Sequence, residues 1–474
     1  MSEVEKKTTK RFAPLIPTLI MIAVTNFVAM MNTTSVTILL PVFMRQFNTD
    51  IILTQWVVTA YMLATCIVAP IVGYISDRIS LKRAFIAAVA GFAICTILLG
   101  LAGSIYQVIM MRVLQGIFGG MIMPLTQSML YQYFPRQQQA KAVSIWATTN
   151  LLAPTLSPSI AGAISDLCGW RFIFFVTIPF LLTSLFAAMK LLPSRLIIEN
   201  SEQRAFDFAG LLLSTVGSFC LLMAFSNITI WGLISVQVIG LTVTGSITLV
   251  AFFYVERKKR FPMLQVKVFS YEGFWNSIVV LCVGNIFINA SNNVLPIFLQ
   301  DIRGFNTTQA ALMMLPAPLA IMFIVPMLGK YYDGIGPQKM LTGILCIGVL
   351  ACIVNSMIGL ESSVIFIIFA LILRDIGAGT INMPATNMGM QAIPVSYVTH
   401  AAAVTSWARQ CVVSLAIGLI NTFQTARTQY YINHTVNAGY NNCYTNAMSD
   451  LFHIIILCYV VGLVAVYFSK SRKR

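Results

Sequence analysis

Charged side chains are rare inside the long apolar runs of this chain, and those few are the candidates for moving protons or binding ions. They are Arg112, Arg374, Asp375 and Arg409. A charge near the centre of a bilayer costs about 2.5–3.5 kcal/mol on insertion scales, so it usually faces a partner or a water-filled cavity. Asp375 is the one acid near the middle of such a run, which makes it a candidate proton carrier together with Arg374 and Arg112. The alternative is that Asp375 is a structural counter-ion of Arg374 or Arg409.

Uncharged polar residues are concentrated in the first apolar run, within MNTTSVTILLP at 31–41. Asn32 and Thr33 form hydrogen bonds but do not titrate, so they would bind or orient a ligand and would not carry a proton. At 1.5 Å of rise per residue, Asn32 and Arg112 should lie at comparable depths, which would put an amide beside a cation. Three intramembrane arginines against one aspartate also favour anionic or zwitterionic amphiphiles over lipophilic cations. The alternative for Arg112 is a hydrogen bond to backbone carbonyl groups.

Other polar and aromatic residues in the apolar runs are candidates for lining a ligand cavity. The asparagines are the stronger candidates, because a buried amide without a hydrogen bond is costly. Any single aromatic side chain can instead pack against lipid or against the protein core. Besides Asn32, Thr33 and Arg112, the candidate set is Tyr61, Trp146, Asn150, Asn289, Asn382, Trp407 and Arg409.

The composition shows which elements must position these residues. Of the 474 residues, 58% are hydrophobic and only 9% are charged, and the mean hydropathy is +0.83. About a quarter of the residues of a soluble globular protein are charged, so this composition predicts an integral membrane protein. Fourteen runs of the sequence are long enough for a spanning helix, which needs about 20 apolar residues. The predicted fold is therefore an all-α membrane protein with fourteen transmembrane helices.

The net charge of +15 is distributed unevenly among the loops between these runs. Most lysines and arginines fall on one side of the predicted membrane. The four exceptions are Arg45, Arg171, Arg303 and Arg427. This asymmetry is the positive-inside rule, so both termini are predicted to be cytoplasmic and no nucleic-acid partner is expected.

The sequence contains no pattern typical of an enzyme, a metal site or a cofactor site. The three histidines, His400, His434 and His453, stand alone in the sequence, and the ten cysteines form no CxxC pair. A phosphate-binding loop of the GxxxxGK[ST] type is also absent from the sequence, so no ATP hydrolysis is expected. We therefore predict neither enzymatic activity nor a bound metal or cofactor.

One pattern occurs twice in the chain, as GYISDRISLKR at 73–83 and as GKYYDGIGPQK at 329–339. The glycine permits close approach of helices, and the aspartate can meet a base or a helix amino terminus. The alternative is a basic cytoplasmic loop with an incidental acid. The gate candidates are Gly73, Asp77, Arg78, Lys82, Arg83, Gly329 and Asp333. Internal repeats of this kind are typical of secondary transporters.

The repeat predicts two halves of six spans each, with two further spans between them. The predicted parts are a tail 1–13, a six-helix bundle 14–192, a linker 193–206, two inserted helices 207–254, a loop 255–272, a second six-helix bundle 273–469 and a basic tail 470–474.

The predicted fifth span contains Pro154, Pro158 and Gly162 at intervals of four residues, so the three share one helix face. This stripe predicts a bend in the helix and a close contact with a neighbour. An ordinary kinked helix is the alternative to a functional motif.

Together and in order, these motifs resemble the major facilitator superfamily, specifically the fourteen-span drug:proton antiporters (DHA2-type). The resemblance covers nearly the whole chain. It rests on TQWVVTAYMLA at 54–64, GYISDRISLKR at 73–83, MRVLQGIFGG at 111–120, APTLSPSIAG at 153–162, WRFIFFVTIP at 170–179, FDFAG at 206–210, ERKKRFPMLQVKVF at 256–269 and WARQ at 407–410. Asn32 stands where many relatives have an acid, and Ser80 and Leu81 replace the usual Gly and Arg of the gate motif.

The resemblance implies export of small amphiphilic compounds of the multidrug type, by proton-coupled alternating access. It implies that the gate motif closes the cytoplasmic side and that Pro154, Pro158 and Gly162 form the antiporter motif. The expected location is the plasma membrane, and the expected partners are the lipid bilayer, a small-molecule substrate and protons, with the chain acting as a monomer. An exporter or flippase of an endogenous anionic metabolite or lipid is the alternative.

Overall fold

The protein is described by a computed structural model covering residues 15–193, 207–259, 262, 264–434 and 439–468. Within these ranges the chain is almost entirely helical and contains no β-strand. A helix satisfies its backbone hydrogen bonds within the segment, which a bilayer interior requires. The predicted tails 1–13 and 470–474 lie outside the described residues, as does the predicted linker except at its first residue.

The first half of the chain forms seven helices, and a short break at residues 69 and 70 separates the second helix from the third. These are α1 Leu15–Phe47, α2 Ile51–Val68, α3 Ile71–Ile79, α4 Leu81–Gly100, α5 Ile105–Tyr133, α6 Arg136–Cys168 and α7 Arg171–Leu191. The next helices are α8 Phe208–Ser226, the single turn α9 Ile228–Trp231 and α10 Val236–Lys258.

The second half begins with a 3-10 turn, Val266–Ser270, and then continues in long helices. These are α11 Glu272–Ile297, α12 Thr307–Met314, α13 Pro316–Ile335, α14 Pro337–Ser356, α15 Val364–Ala378, α16 Asn382–Gln391, α17 Val398–His434 and α18 Tyr440–Phe468. A π-helical turn, Phe298–Ile302, extends α11.

The described residues contain twelve helical segments that are long and apolar enough to cross a membrane, and two further spans that are bent. One bent span joins α2 to α3 with an angle of 57°, at Ala69 and Pro70. The other is α6, whose parts Arg136–Ser157 and Ile160–Cys168 differ in direction by 42°. Counting each bent span once gives fourteen candidates, so the predicted all-α membrane fold is confirmed.

The chain folds into two compact units. The N-terminal unit comprises Met1–Phe219, Leu249–Val268 and Ile393–Trp407, and the C-terminal unit comprises Cys220–Thr248, Phe269–Ala392 and Ala408–Arg474. The first turns of α17 therefore belong to the N-terminal unit, although they follow most of the second half in sequence. The predicted bundle boundaries remain a prediction.

In the N-terminal unit, glycines on α5 allow its backbone to lie directly against α2. A Cβ added at Gly116 would stand 2.6 Å from the Tyr61 carbonyl oxygen, and one added at Gly120 would stand 2.8 Å from Thr65 Cα. Thr65 Oγ1 also donates to the Gly116 carbonyl, at 3.3 Å. Small residues at such a contact are typical of membrane helix pairs, because they let two backbones approach closely.

In the C-terminal unit, α14 and α15 meet at two glycines. A Cβ added at Gly377 would stand 2.5 Å from Gly348 Cα, and the Tyr459 ring of α18 covers the same point. Tyr459 donates its hydroxyl hydrogen to the Gly377 carbonyl, at 3.2 Å. This contact fixes the part of α15 that carries Arg374 and Asp375.

Candidate functional site

Arg112 is fully buried in the N-terminal unit and has no acidic partner among the described residues. Its Nε donates to the Val57 carbonyl at 3.0 Å, and its Nη1 donates to Gln115 Oε1 at 2.7 Å. The guanidinium also lies 4.1 Å from the centre of the Tyr61 ring, a cation–π contact. Its Nη2 is buried and has no hydrogen-bond partner in the described part of the chain. The backbone bond anticipated as an alternative is therefore present, but it leaves one donor of a desolvated cation unused.

Thr33 and Tyr61, two of the predicted cavity residues, connect α1 to this cation. Thr33 Oγ1 lies 2.9 Å from Tyr61 Oη, and the same ring covers Arg112. Asn32 is different, because its Nδ2 donates to the Val28 carbonyl of its own helix at 3.0 Å. No hydrogen bond joins Asn32 to Arg112, and the buried Asn32 Oδ1 has no partner among the described residues.

A second group of polar residues joins α1 to α6. Asn26 Nδ2 donates to Thr149 Oγ1 and to Asn150 Oδ1, both at 2.9 Å. Trp146 Nε1 donates to Thr126 Oγ1 at 3.1 Å. Asn26 and Gln115 are functional candidates that the sequence analysis missed. Asn26 precedes Asn32 in the same apolar run, and Gln115 stands one helical turn after Arg112, so both could have been found.

The proline stripe of α6 coincides with the 42° bend of that helix, and Pro154 and Pro158 both lie within helical backbone. The close contact with a neighbour lies at Ser157, whose Oγ is 2.7 Å from Ser35 Oγ and donates to the Met31 carbonyl at 3.0 Å. At Gly162 an added Cβ would meet nothing within 4 Å. Gly162 therefore leaves open space beyond the bend and does not form the contact.

In the C-terminal unit, Arg374 and Asp375 form a buried ion pair. Arg374 Nε and Nη2 lie 2.7 and 2.6 Å from Asp375 Oδ1, and only 3% and 5% of the two residues is exposed. Arg374 Nη1 also donates to Asn292 Oδ1 at 3.3 Å, which links the ion pair to an exposed side-chain amide of α11. Arg409 is half-buried, and its predicted alternative as a partner of Asp375 remains a prediction.

The hydrogen bonds of three remaining candidates are local in two cases and reach another helix in the third. Asn289 Nδ2 donates to the Asn285 carbonyl at 2.8 Å, and Asn382 Nδ2 donates to the Gly379 carbonyl at 3.4 Å. Trp407 donates its indole hydrogen to Ser218 Oγ of α8 at 2.8 Å, within the N-terminal unit. Their predicted contact with a substrate remains a prediction.

At the gate motif, Asp77 meets a residue that the sequence analysis had treated as isolated. His400 Nε2, in the first turns of α17, lies 3.1 Å from Asp77 Oδ2, and we call this interaction the latch contact. An added Cβ at Gly73 would stand 2.3 Å from His400 Nδ1, so only glycine leaves room for the ring. Gln132 Nε2 donates to the neighbouring Thr399 Oγ1 at 3.1 Å and holds the same turn of α17.

The basic residues of the motif have separate contacts. Lys82 Nζ donates to the carbonyls of Met189 and Leu192 at 2.7 Å each, which satisfies the end of α7. Arg78 donates to Tyr74 Oη at 3.2 Å, and the Arg83 side chain is exposed. In the second copy of the motif, Gly329 is buried, whereas Asp333 is exposed and has no ion pair with any described residue of its own unit.

Ser80 ends α3 with a backbone conformation that normally requires glycine. Its φ and ψ are 81° and 151°, nearly the same as the 84° and 151° of Gly336 in the second copy. That region is almost restricted to glycine and costs other residues about 1–3 kcal/mol. The hydroxyl compensates weakly, because Ser80 Oγ accepts from the Arg83 N–H at 3.5 Å.

We expect the substitution Ser80→Gly to stabilise the protein by about 1 kcal/mol, since relief of strain exceeds the added unfolded-state entropy of glycine. The thermal midpoint in detergent should rise by about 1–3 °C, as measured by the change in intrinsic fluorescence. The reciprocal change Gly336→Ser should lower it. A fall in the midpoint of Ser80→Gly would show that the capping bond outweighs the strain.

Long apolar helices with a few polar groups buried inside two compact units are typical of a membrane transporter. The chain belongs to the Major Facilitator Superfamily, whose family model matches residues 22–418. The family match therefore confirms the predicted superfamily.

Two relatives and one solved structure illustrate the similarity. The chain is 25% identical to the Multidrug export protein EmrB of Haemophilus influenzae over 458 residues, covering 94% of this chain and 88% of EmrB. It is 28% identical to the Fatty acid resistance protein FarB of Neisseria gonorrhoeae over 318 residues, covering 67% of this chain and 62% of FarB. The crystal structure of the human organic anion transporter MFSD10 (TETRAN) superposes with a TM-score of 0.66 at 12% identity, covering 94% of this chain and 99% of that one. This last likeness concerns the fold alone.

Proposed function

We propose that this transporter exports small amphiphilic compounds of the multidrug type by proton-coupled alternating access, and that it prefers anionic or zwitterionic substrates. The observation that carries the substrate preference is Arg112, a fully buried cation with no described acidic partner. A charge in a low-dielectric site attracts an opposite charge strongly, and the two unused N–H donors of Nη2 can supply directed hydrogen bonds. The relatives named for multidrug export and for fatty acid resistance support this proposal.

The proposed site in the N-terminal unit is made of Arg112, Tyr61 and Thr33, together with Asn32, which precedes Thr33 in α1. Tyr61 and Thr33 are already bonded to each other, so they hold the guanidinium in place. Asn32 offers a buried oxygen with no described partner, which could accept from a hydroxyl or ammonium group of a zwitterion. Aromatic and neutral polar groups around one cation suit an amphiphile with an anionic head.

The proposed energy source is the proton gradient, and the proposed carrier is Asp375. It is buried and forms an ion pair with Arg374. Protonation would remove the charge of Asp375 and weaken its bond to Arg374. We further propose that the transporter is a monomer in the plasma membrane, a location that the family match supports. The uneven distribution of lysine and arginine supports cytoplasmic positions for both termini.

The substrate preference can be tested by competition in proteoliposomes. An alkyl sulfonate is permanently anionic and does not carry protons across lipid by itself, so it is compared with a quaternary ammonium compound of equal chain length. We expect the sulfonate to compete at about tenfold lower concentration, which corresponds to about 1.4 kcal/mol. In Arg112→Gln, which keeps polar atoms but no charge, this ratio should approach one. Quaternary ammonium compounds as the best competitors would refute the proposed preference.

A related candidate function is export or flipping of an endogenous anionic lipid or metabolite, which the name of FarB favours. It predicts translocation of a fluorescent anionic phospholipid between leaflets, whereas export of soluble amphiphiles does not. The same proteoliposomes distinguish the two functions when leaflet exchange is read by dithionite quenching.

A further inference from the structure

Two consecutive backbone N–H groups near the end of the loop after α10 bond to side chains from two different helices. The Leu264 N–H donates to Glu256 Oε2 at 3.0 Å, and the Gln265 N–H donates to His400 Nδ1 at 3.4 Å. Both acceptors are buried, with 1% of each residue exposed. All four residues belong to the N-terminal unit. The short segment Leu264–Gln265 therefore connects the carboxylate of α10 to the histidine of the latch contact.

Glu256 is itself held in a single position. Lys259 Nζ lies 3.3 Å from Glu256 Oε1 and also binds Asp207 Oδ1, at the start of α8. Asp207 Oδ1 accepts in addition from the Gly210 N–H at 2.7 Å. A Cβ added at Gly210 would stand 2.6 Å from Asp207 Oδ2 and 2.7 Å from Glu256 Oε1, so the two carboxylates pack across the first turn of α8. These contacts join α8 to α10 and fix the acceptor of the Leu264 N–H.

The bond from Gln265 determines which nitrogen of His400 carries the hydrogen. A backbone N–H can only donate, so His400 Nδ1 must present its lone pair to Gln265. In the neutral ring the hydrogen then lies on Nε2, which faces Asp77 Oδ2. This is the tautomer that donates to Asp77. The other tautomer would place two hydrogens face to face at Gln265 and two acceptors face to face at Asp77.

We propose that Glu256 is a positioning residue for the latch contact: it holds the segment Leu264–Gln265 so that the Gln265 N–H fixes His400 in the Nε2–H tautomer. Through this connection, α8 and α10 determine whether His400 can donate to Asp77. The role of the latch contact in transport rests on the proposed function, but the fixed tautomer does not.

The direct test reads the tautomer of His400 in the full-length protein in nanodiscs. The chain has three histidines, so 15N-histidine labelling gives few signals, and the His400→Gln variant identifies those of His400. Protonated and unprotonated ring nitrogens differ widely in 15N shift. We compare Glu256→Gln, which keeps an acceptor oxygen for the Leu264 N–H, with Glu256→Leu, which has none. The wild type and Glu256→Gln should show the single Nε2–H tautomer, and Glu256→Leu should show a mixture of both.

A second pair of variants removes the donor and leaves Glu256 intact. Gln265→Pro lacks the N–H, whereas its matched control Gln265→Ala keeps it. The proline variant should show the tautomer mixture and the alanine variant should not. Glu361→Gln, at an exposed residue, serves as a general control, and size-exclusion chromatography confirms folding of each variant. A single unchanged tautomer in both Glu256→Leu and Gln265→Pro would overturn the proposal.

The connection to function is tested by transport of the alkyl sulfonate. For this assay each protein is transferred from the nanodiscs to liposomes. The rate should fall at least about threefold in Glu256→Leu and Gln265→Pro and stay unchanged in their matched controls. If the tautomer changes and the rate does not, the control of transport by α8 and α10 is refuted, while the proposed function itself is judged by the wild-type assay alone.

Discussion

Asp375→Asn is expected to abolish transport driven by a pH gradient while leaving substrate exchange at equal pH intact. Asparagine keeps the shape of the side chain and an oxygen that accepts from Arg374, but it cannot take up a proton. The gradient-driven rate should fall at least about tenfold, equivalent to about 1.4 kcal/mol or more. The measurement is sulfonate-dependent proton movement in liposomes, with counterflow of labelled substrate as the second assay.

The matched control for this variant is Glu361→Gln, because Glu361 is an exposed acid of the same unit with no described ion pair there. It should leave both assays unchanged. Unaltered coupling in Asp375→Asn would rule out the carrier role and make Asp375 a structural counter-ion. Asp375→Leu tests that structural role separately, since an unpaired buried Arg374 should destabilise the protein by about 3–5 kcal/mol.

Gly73→Ala is expected to reduce transport about tenfold, which corresponds to about 1.4 kcal/mol. The new methyl group would stand 2.3 Å from His400 Nδ1 and 2.7 Å from His400 Cε1, so the ring must move and the latch contact with Asp77 must break. In the proposed cycle this contact forms when the cytoplasmic side is closed and breaks when the start of α17 separates from α3. Its permanent loss should therefore uncouple closure from transport.

Gly343→Ala provides the matched control for Gly73→Ala, because an added methyl group at this helical position meets nothing within 4 Å. Both variants make the same chemical change in a helix of the same protein. Expression level, thermal midpoint and transport rate are measured for both. Equal activity of the two variants would show that the position of His400 does not matter for transport.

Much of the fold could be predicted from the sequence because the bilayer imposes a strong constraint on composition. Fourteen apolar runs were predicted to span it, and the described residues contain up to fourteen candidate spans when each bent span is counted once. The bend of α6 was predicted because proline removes a backbone hydrogen bond from a helix. The close contact expected at Gly162 is instead at Ser157, whereas a Cβ added at Gly162 would meet nothing within 4 Å.

The partners of the site residues were harder to predict, because they depend on contacts between distant parts of the chain. The ion pair of Arg374 with Asp375 was one of the stated alternatives, and adjacency in sequence suggested it. The bond between His400 and Asp77 spans 323 positions in sequence, and a single histidine has no local pattern to reveal it. The calculated depth placed Asn32 near Arg112. Depth along a helix does not determine the direction in which a side chain points, and the Asn32 amide donates to a backbone carbonyl of its own helix.

The described hydrogen bonds that join α1 to α6 are all formed by neutral groups, at Asn26 with Thr149 and Asn150 and at Ser35 with Ser157. Groups of this kind neither titrate in the physiological range nor respond appreciably to an electric field. We expect these hydrogen bonds between α1 and α6 to keep the same strength in resting and de-energised cells. Voltage and acidity would then act on the transporter elsewhere, through the charges of α15 and of the cargo.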